Sequence, residues 1–313
     1  MPAMITHYLA AKRSAALLSG QGIELNFPTY CWGAQGPDFL FYHKPLGGEK
    51  SIRKIGLALH KTEPEKIFLA FRKYTELCSI KELPYVYSYC YGLLSHLALD
   101  SGAHPFVYYF QDKLGEQSRD PANFMHHKIE HNLDVILLEK LEGRRLSSFK
   151  IREALPSCRK GLRAAAKAVG FVVNELYPDR PVPEKEIYKA FCDFRRYEGL
   201  LLHHRRFSRA VARKLEEKKK LGKSLSFFIR PESPWDDFDY TNAKKMRWYS
   251  AGLAGGRPSS ADFFTVFDKG VEDSAYLAGR FKNCADHRQP LYFLKDYRFD
   301  NGSKKLEVRQ WKG

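Results

Sequence analysis

The chain has 313 residues, of which 44% are hydrophobic, 14% aromatic and 28% charged, and this composition excludes intrinsic disorder. No run of about 18 apolar residues occurs, which excludes a membrane-spanning helix. The net charge of +16 is uneven, because residues 1–145 carry 17 Lys or Arg against 15 Asp or Glu. The excess positive charge therefore lies mostly in residues 146–313, where it would attract anionic material or simply form a solvated surface.

The N-terminal segment and the cysteines indicate the cellular compartment in which the protein is expected to be found. Residues 1–20 lack the long apolar region and the cleavage site of a secretory signal. The six cysteines are scattered and form no CxxC pair, so buried, reduced thiols are expected rather than a disulfide framework. A cytoplasmic protein is the resulting prediction.

Helical periodicity dominates, and the predicted fold class is mainly α. The segment Glu63–Ile80 has apolar residues at helical spacing, and Tyr85–Asp100 is apolar on nearly all sides, which predicts a buried central helix. Two expected strands, Leu291–Phe299 and Leu306–Trp311, flank Asp300-Asn301-Gly302 and predict a small C-terminal β-hairpin. Further helices are predicted at residues 123–142, 157–176, 185–221 and 259–282.

Eight of the 11 histidines precede residue 132. His96 and Asp100 are four residues apart on the predicted central helix, and His126 and Glu130 repeat this spacing on the next helix. Each pair therefore shares one helix face, and two such helices can hold metal ions between them. A lone His on an apolar helix is commonly a core residue, but Asp and Glu are almost never buried unless they are paired.

Two residues near these pairs are harder to interpret. His104 precedes Pro105, which predicts that His104 lies at the end of the central helix or just beyond it. Asp38 follows Gly36-Pro37 and precedes an aromatic run. Locally, its carboxylate is equally consistent with an N-cap, a metal ligand and a positioned base.

Five segments carry a family resemblance: Thr6-His7-Tyr8, Gly36-Pro37-Asp38, Leu59-His60, His96-xxx-Asp100-xxx-His104 and His126-xxx-Glu130. Together they resemble the zinc-dependent phospholipase C family, whose relatives include the fungal single-strand-specific zinc nucleases. The resemblance covers about residues 4–140, and later only Pro234-Trp235-Asp236-Asp237 looks similar. It implies a multi-helix bundle in which residues 1–145 form the metal-site core. Residues 146–313 would be a basic helical remainder, packed on that core as one domain.

The resemblance also implies a metal-binding role for eight residues. They are His7, Asp38, His60, His96, Asp100, His104, His126 and Glu130. His60, His96 and Asp100 would hold one zinc. A second zinc would be held by His104, His126 and Glu130. His7 would contribute to a third zinc, with Asp100 as a bridge. Asp38 matches the family carboxylate beside the metals, which acts as a ligand or as the catalytic base.

Two departures from the family pattern bear on the number of metals. Secreted members use a mature N-terminal Trp as a ligand, whereas this chain begins Met-Pro-Ala-Met-Ile-Thr before His7. Secreted members also place five residues between the bridging Asp and the next His, whereas three separate Asp100 from His104. Two zinc ions are therefore expected, with a third if His7 takes part.

The implied activity is hydrolysis of phosphate esters by a phospholipase C-like phosphodiesterase, at a membrane surface if the substrate is a phospholipid. The alternatives are a zinc-dependent single-strand nuclease and a non-catalytic helical scaffold that binds zinc. The basic stretch Arg205–Lys223, with nine Lys or Arg and two Glu, fits a membrane surface, a nucleic-acid backbone or a merely solvated helix.

Overall fold

The structure is a computed structural model that describes residues 4–44, 51–116, 122–202, 214, 229–249, 258–284 and 289–300. Within these ranges the protein is mainly α, as predicted. The α-helices are α1 (Met4–Gly20), α2 (Phe27–Gly33), α3 (Ser51–Lys61), α4 (Pro64–Leu77), α5 (Leu83–Gly115), α6 (Ala122–Glu142), α7 (Ile151–Ala154), α8 (Arg159–Leu176), α9 (Glu184–Leu202) and α10 (Phe263–Asn283). Short 3₁₀ turns span Asp38–Tyr42, Leu146–Ser148 and Tyr292–Leu294.

Helix α5 is the centre of the fold, and α1, α2, α6, α8 and α10 all pack on it. Its 33 residues are apolar on most sides, as expected of a helix surrounded by others. The prediction that this helix ends near His104 was wrong, because α5 continues through Pro105 to Gly115. A proline inside a helix removes one backbone hydrogen bond, and the buried residues on both sides of Pro105 offset that cost by packing.

The crossing of α2 and α5 depends on two glycines. A Cβ atom on Gly33 would lie 2.1 Å from the carbonyl oxygen of Tyr89, and one on Gly92 would lie 2.2 Å from that of Tyr30. Both distances are far below van der Waals contact, so only glycine permits this approach of the two backbones. The close crossing brings the end of α2, and the Ala34 carbonyl after it, against the face of α5 that carries His96.

The first three helices were not predicted from the sequence. Helix α1 is buried on most sides, so it lacks the apolar stripe that reveals a surface helix. The predicted helix over residues 185–221 is described only as α9, which ends at Leu202 in the described range. The rest of that segment, including nearly all of the basic stretch Arg205–Lys223, lies outside the described residues.

The predicted C-terminal hairpin is not formed in its described half. Leu291–Phe299 contains the 3₁₀ turn Tyr292–Leu294 rather than a strand. Leu291 and Leu294 are both buried, whereas residues three apart in a strand point to opposite faces. The second predicted strand, Leu306–Trp311, lies outside the described residues. The sheet that the structure does describe pairs β1 (Trp248–Tyr249) with β2 (Pro258–Ser259) in antiparallel fashion.

Among the described helices, none is both long enough and apolar enough to cross a bilayer. The division of the chain at residue 145 into a core and a packed remainder stays a prediction.

Candidate metal centre

Helix α5 carries three of the predicted site residues on one face. His96, Asp100 and His104 follow one another at intervals of four residues, which spreads them over about 12 Å of helix length. All three side chains are buried, and those of His96 and Asp100 are fully inaccessible to solvent. A row of polar groups in the middle of an apolar helix costs free energy unless each group finds a partner.

The first group of partners surrounds His96. We call His7, Asp38, His60, His96 and Asp100 the His96 centre. The Nε2 atom of His96 lies 3.0 Å from Asp100 Oδ2 and 3.8 Å from Asp38 Oδ1. His7 on α1 and His60 on α3 complete the centre. His7 Nε2 lies 3.3 Å from Asp100 Oδ1, and His60 Nε2 lies 3.0 Å from Asp38 Oδ1.

A second group lies further along α5. We call His104, His126 and Glu130 the His104 centre, in which one donor atom from each residue lies within 4.8 Å of the others. His126 and Glu130 face α5 from α6, with His126 Nε2 2.9 Å from Glu130 Oε1. The two helices thus present the His-carboxylate pairs at the spacing noted in the sequence.

The donor atoms of His7, His96 and Asp100 fit a metal ion better than they fit hydrogen bonds to each other. His7 Nε2, His96 Nε2 and both Asp100 oxygens are buried without a hydrogen-bond partner among the described residues, although they lie 3.0–3.3 Å apart. The atoms are close, but they are not oriented as hydrogen-bond partners. Two ligands of a tetrahedral zinc, each about 2.05 Å from the ion, are about 3.3 Å apart, which is close to the spacings seen here.

His104 gives the clearest sign of a missing partner. Both of its ring nitrogens are buried without a hydrogen-bond partner in the described part of the chain. A neutral imidazole always has one N–H donor and one lone pair, so leaving both unmatched in the core is costly. A cation bound at Nε2 or Nδ1 would remove much of that cost, since it would use the lone pair.

Three of the rings are held in a defined tautomer. His96 Nδ1 lies 3.1 Å from the Ala34 carbonyl, and His60 Nδ1 lies 2.7 Å from the Gly56 carbonyl. Because a carbonyl oxygen only accepts, Nδ1 carries the proton and Nε2 keeps its lone pair for the centre. His126 follows the same rule, with its Nδ1 3.0 Å from Gln111 Oε1. Metal-ligating histidines commonly donate their other ring N–H in this way.

Gly36 explains the Gly-Pro-Asp segment that the sequence singled out. Its φ of +57° favours glycine, and a Cβ at this position would lie 2.2 Å from His96 Cδ2. The turn therefore passes directly over the His96 ring. That passage carries the chain to Asp38, which begins the 3₁₀ turn beside His60.

Burial and neighbouring charges shift the pKa values of the donors, and the pKa of His96 moves in the opposite direction to those of His7 and His104. Burial lowers the pKa of His7 and lowers that of His104 well below its usual value, so both rings are neutral at pH 7. Burial alone would raise the pKa of Asp100, but His96 and His104 bring it well below the ordinary value. The pKa of His96 is raised, because the Asp100 and Asp38 carboxylates outweigh its burial.

The other histidines of the N-terminal half lie around these centres or away from them. His127 Nδ1 is 3.3 Å from Glu130 Oε2, and its ring stacks on His131. His43 points elsewhere and pairs with Glu186 of α9, with 2.9 Å between His43 Nε2 and Glu186 Oε2.

The C-terminal segment supplies contacts that the sequence did not reveal. The Phe299 ring lies 6.1 Å and 5.9 Å from those of His60 and His96. The next residue, Asp300, accepts a hydrogen bond of 2.6 Å from the Tyr108 hydroxyl, and the Tyr108 ring packs on His126. Phe299 therefore contacts the His96 centre, and Asp300 contacts a tyrosine that packs on the His104 centre.

The fold and the donor sets define a mainly α-helical protein with buried His and carboxylate groups arranged for metal ions. Residues 6–177, more than half of the chain, match the family model described as zinc dependent phospholipase C. The chain therefore belongs to the zinc-dependent phospholipase C family, and all eight predicted site residues fall inside the matched region. No curated protein and no solved structure gives a match. The family and the donor groups together support zinc as the metal.

Proposed function

We propose that the protein is a zinc-dependent phosphodiesterase that cleaves phospholipid headgroups in the manner of a phospholipase C. The observation that carries this proposal is the pair of buried donor clusters inside the family-matched region, in which the donor atoms of His7, His96 and Asp100 have the spacing of metal ligands without the geometry of hydrogen bonds. We assign two zinc ions, one to each centre, and a third zinc, held by His7 and Asp100 within the His96 centre, if His7 takes part. The ligands would be His7, His60, His96, Asp100, His104, His126 and Glu130.

Bound zinc lowers the pKa of water and offsets charge on a phosphoryl group. The residues of the chain then divide the remaining work. The Asp38 side chain is 14% exposed, whereas those of His96 and Asp100 are inaccessible, so Asp38 is the donor of the His96 centre that solvent and substrate reach most easily. We assign Asp38 as the base that orients the attacking water and accepts its proton. The water oxygen attacks phosphorus, the bond to the glycerol oxygen breaks, and the proton passes to the leaving alcohol.

A comparison of substrates tests the activity. Phosphatidylcholine vesicles and single-stranded DNA are offered to the zinc-loaded protein side by side, and phosphate-ester products are measured. We expect release of the phosphorylated headgroup from the vesicles. Cleavage of the DNA alone would replace the lipid substrate with a nucleic acid, and no hydrolysis of either by a zinc-loaded protein would favour the scaffold.

The role of Asp38 is tested by Asp38→Asn, with Asp237→Asn as the matched control on an exposed aspartate. Loss of a general base typically costs about 10²–10⁴-fold in rate, so we expect a fall of at least about 100-fold for Asp38→Asn and none for the control. Equal rates for the wild type and Asp38→Asn would remove Asp38 from the mechanism.

We also infer a cytoplasmic location with peripheral contact at a membrane surface. The six cysteines support it, because all are free thiols and the two most buried, Cys31 and Cys90, lie in the core. Fractionation of the native cells would test this inference, since recovery in the secreted fraction would contradict it.

A further inference from the structure

The start of helix α1 is held by a carboxylate from another helix. Asp134 of α6 accepts hydrogen bonds from the backbone N–H of Ile5 (3.3 Å) and of Thr6 (2.7 Å), and from the Thr6 hydroxyl (2.8 Å). The first N–H groups of a helix have no partner inside the helix, and a negative charge is favourable at this end. His7, the residue after Thr6, belongs to the same helical turn.

Asp134 also lies in register with the metal-facing residues of its own helix. It follows Glu130 by four residues and His126 by eight, so the three side chains share one face of α6. One rigid helix therefore fixes two ligands of the His104 centre and, through Asp134, the position of His7 in the His96 centre. The geometry of the two centres is thereby linked.

Arg230 makes this arrangement possible in the core. Its guanidinium is almost fully buried, donates from Nε to Asp134 Oδ2 at 2.8 Å, and donates from Nη1 to Glu198 Oε2 at 2.7 Å. Asp134 is itself inaccessible to solvent, and a buried carboxylate needs a charged partner as well as hydrogen bonds. Arg230 supplies that charge and joins α6 to α9.

We propose that Asp134 and Arg230 are positioning residues for His7, and that they thereby determine how tightly the His7 and Asp100 pair binds its metal. The inference rests on the proposed function, because it assumes that the His96 centre holds metal. Neither residue touches the donor atoms. Their effect passes through the first turn of α1, which sets the 3.3 Å approach of His7 Nε2 to Asp100 Oδ1 and the 4.1 Å stacking of the His7 and His96 rings.

The test measures stepwise zinc affinity by chelator competition in the full chain. We expect Asp134→Asn to weaken one class of zinc by about tenfold, the lower end of the usual range for groups that orient a ligand. His7→Ala should weaken the same class, and the double variant should lose no more than His7→Ala alone, because both changes act on one interaction. Additive losses in the double variant would overturn the proposal.

Two further variants separate positioning from stability. Glu198→Gln alters the same buried network without touching α1, so its zinc affinities should match those of the wild type. Thr6→Ala removes only the hydroxyl hydrogen bond to Asp134 and introduces no unpaired charge, so it should shift the same zinc class in the same direction by a smaller factor. Unchanged affinity in both Thr6→Ala and a folded Asp134→Asn would refute the inference. A wild-type protein that binds no zinc would instead refute the metal centre itself.

Discussion

The two centres of this protein are held in different ways. The His96 centre draws side chains from α1, α3, α5 and the 3₁₀ turn at Asp38, and backbone carbonyls fix the rings of His96 and His60. The His104 centre draws only on α5 and α6, and a side chain, Gln111, orients His126. A backbone acceptor cannot be mutated away, whereas a glutamine can.

This difference predicts different sensitivities. Zinc binding at the His96 centre should be weakened mainly by substitutions of a ligand or of the backbone segment that passes over the His96 ring. The His104 centre should respond to a single substitution outside its ligands. Variants that affect one centre and spare the other would support this difference, and variants that affect both centres equally would contradict it.

The largest effect is expected for His96→Ala, because His96 contributes to both donor groups of its centre. We expect the zinc of the His96 centre to be lost and phosphodiesterase activity to fall below detection, with the zinc of the His104 centre retained. Elemental analysis of the purified variant measures this. The control is His43→Ala, since His43 pairs with Glu186 outside both centres, and its zinc content should equal that of the wild type.

The next largest effect is expected for Gly36→Ala. The added Cβ would collide with the His96 ring, so zinc affinity at the His96 centre should fall by about 10–100-fold. Gly143→Ala is the matched control, because Gly143 has a similar φ of +63° but no atom within 4 Å of an added Cβ. Both variants should lose about 1 kcal/mol or more of stability through backbone strain, but only Gly36→Ala should lose zinc. Equal zinc binding in the two would contradict the close passage over His96.

A smaller and more local effect is expected for Gln111→Leu. Without the acceptor, the His126 ring loses its fixed orientation, and zinc affinity at the His104 centre should fall by about tenfold. Gln111→Glu keeps an acceptor oxygen, so this variant should retain the zinc affinity of the wild type at the His104 centre. Chelator titration distinguishes the two centres, and a loss confined to the His96 centre would count against this account of how the rings are held.

The smallest effect is expected for Tyr108→Phe, which removes the hydrogen bond to Asp300. Such a bond contributes about 1 kcal/mol, so the segment that carries Phe299 should separate more often from the rings of His60 and His96. Zinc should then be extracted faster by a chelator. Tyr109→Phe is the control, because the hydroxyl of Tyr109 donates to the Arg247 carbonyl and not to Asp300. Identical extraction rates in the two variants would show that Asp300 does not secure this segment.

Much of the site was predictable wherever its geometry is local. The spacing of four residues fixes the pairs His96 with Asp100 and His126 with Glu130, and any helix would bring them together. The position of His104 was mispredicted because local rules end a helix before Pro105, whereas packing on both sides of α5 keeps it intact.

The remaining contacts depend on how distant segments meet. The family resemblance implied His60, His96 and Asp100 as one ligand set and His7 with Asp100 as part of another. The structure brings donor atoms of Asp38, His60 and His96 together, and also those of His7, His96 and Asp100. Nothing in the sequence around Gln111 or Asp134 indicates that these side chains hold His126 or the start of α1. Their roles follow only from the packing of α1 and α6 against α5.

A crystal structure of the protein purified without chelators, with anomalous differences collected above and below the zinc edge, would show whether zinc occupies the two centres. We predict anomalous peaks in both the His96 centre and the His104 centre, within bonding distance of Nε2 of His96 and of His126. A well-ordered structure without zinc peaks at either centre, from protein that elemental analysis shows to be zinc-free, would contradict the account.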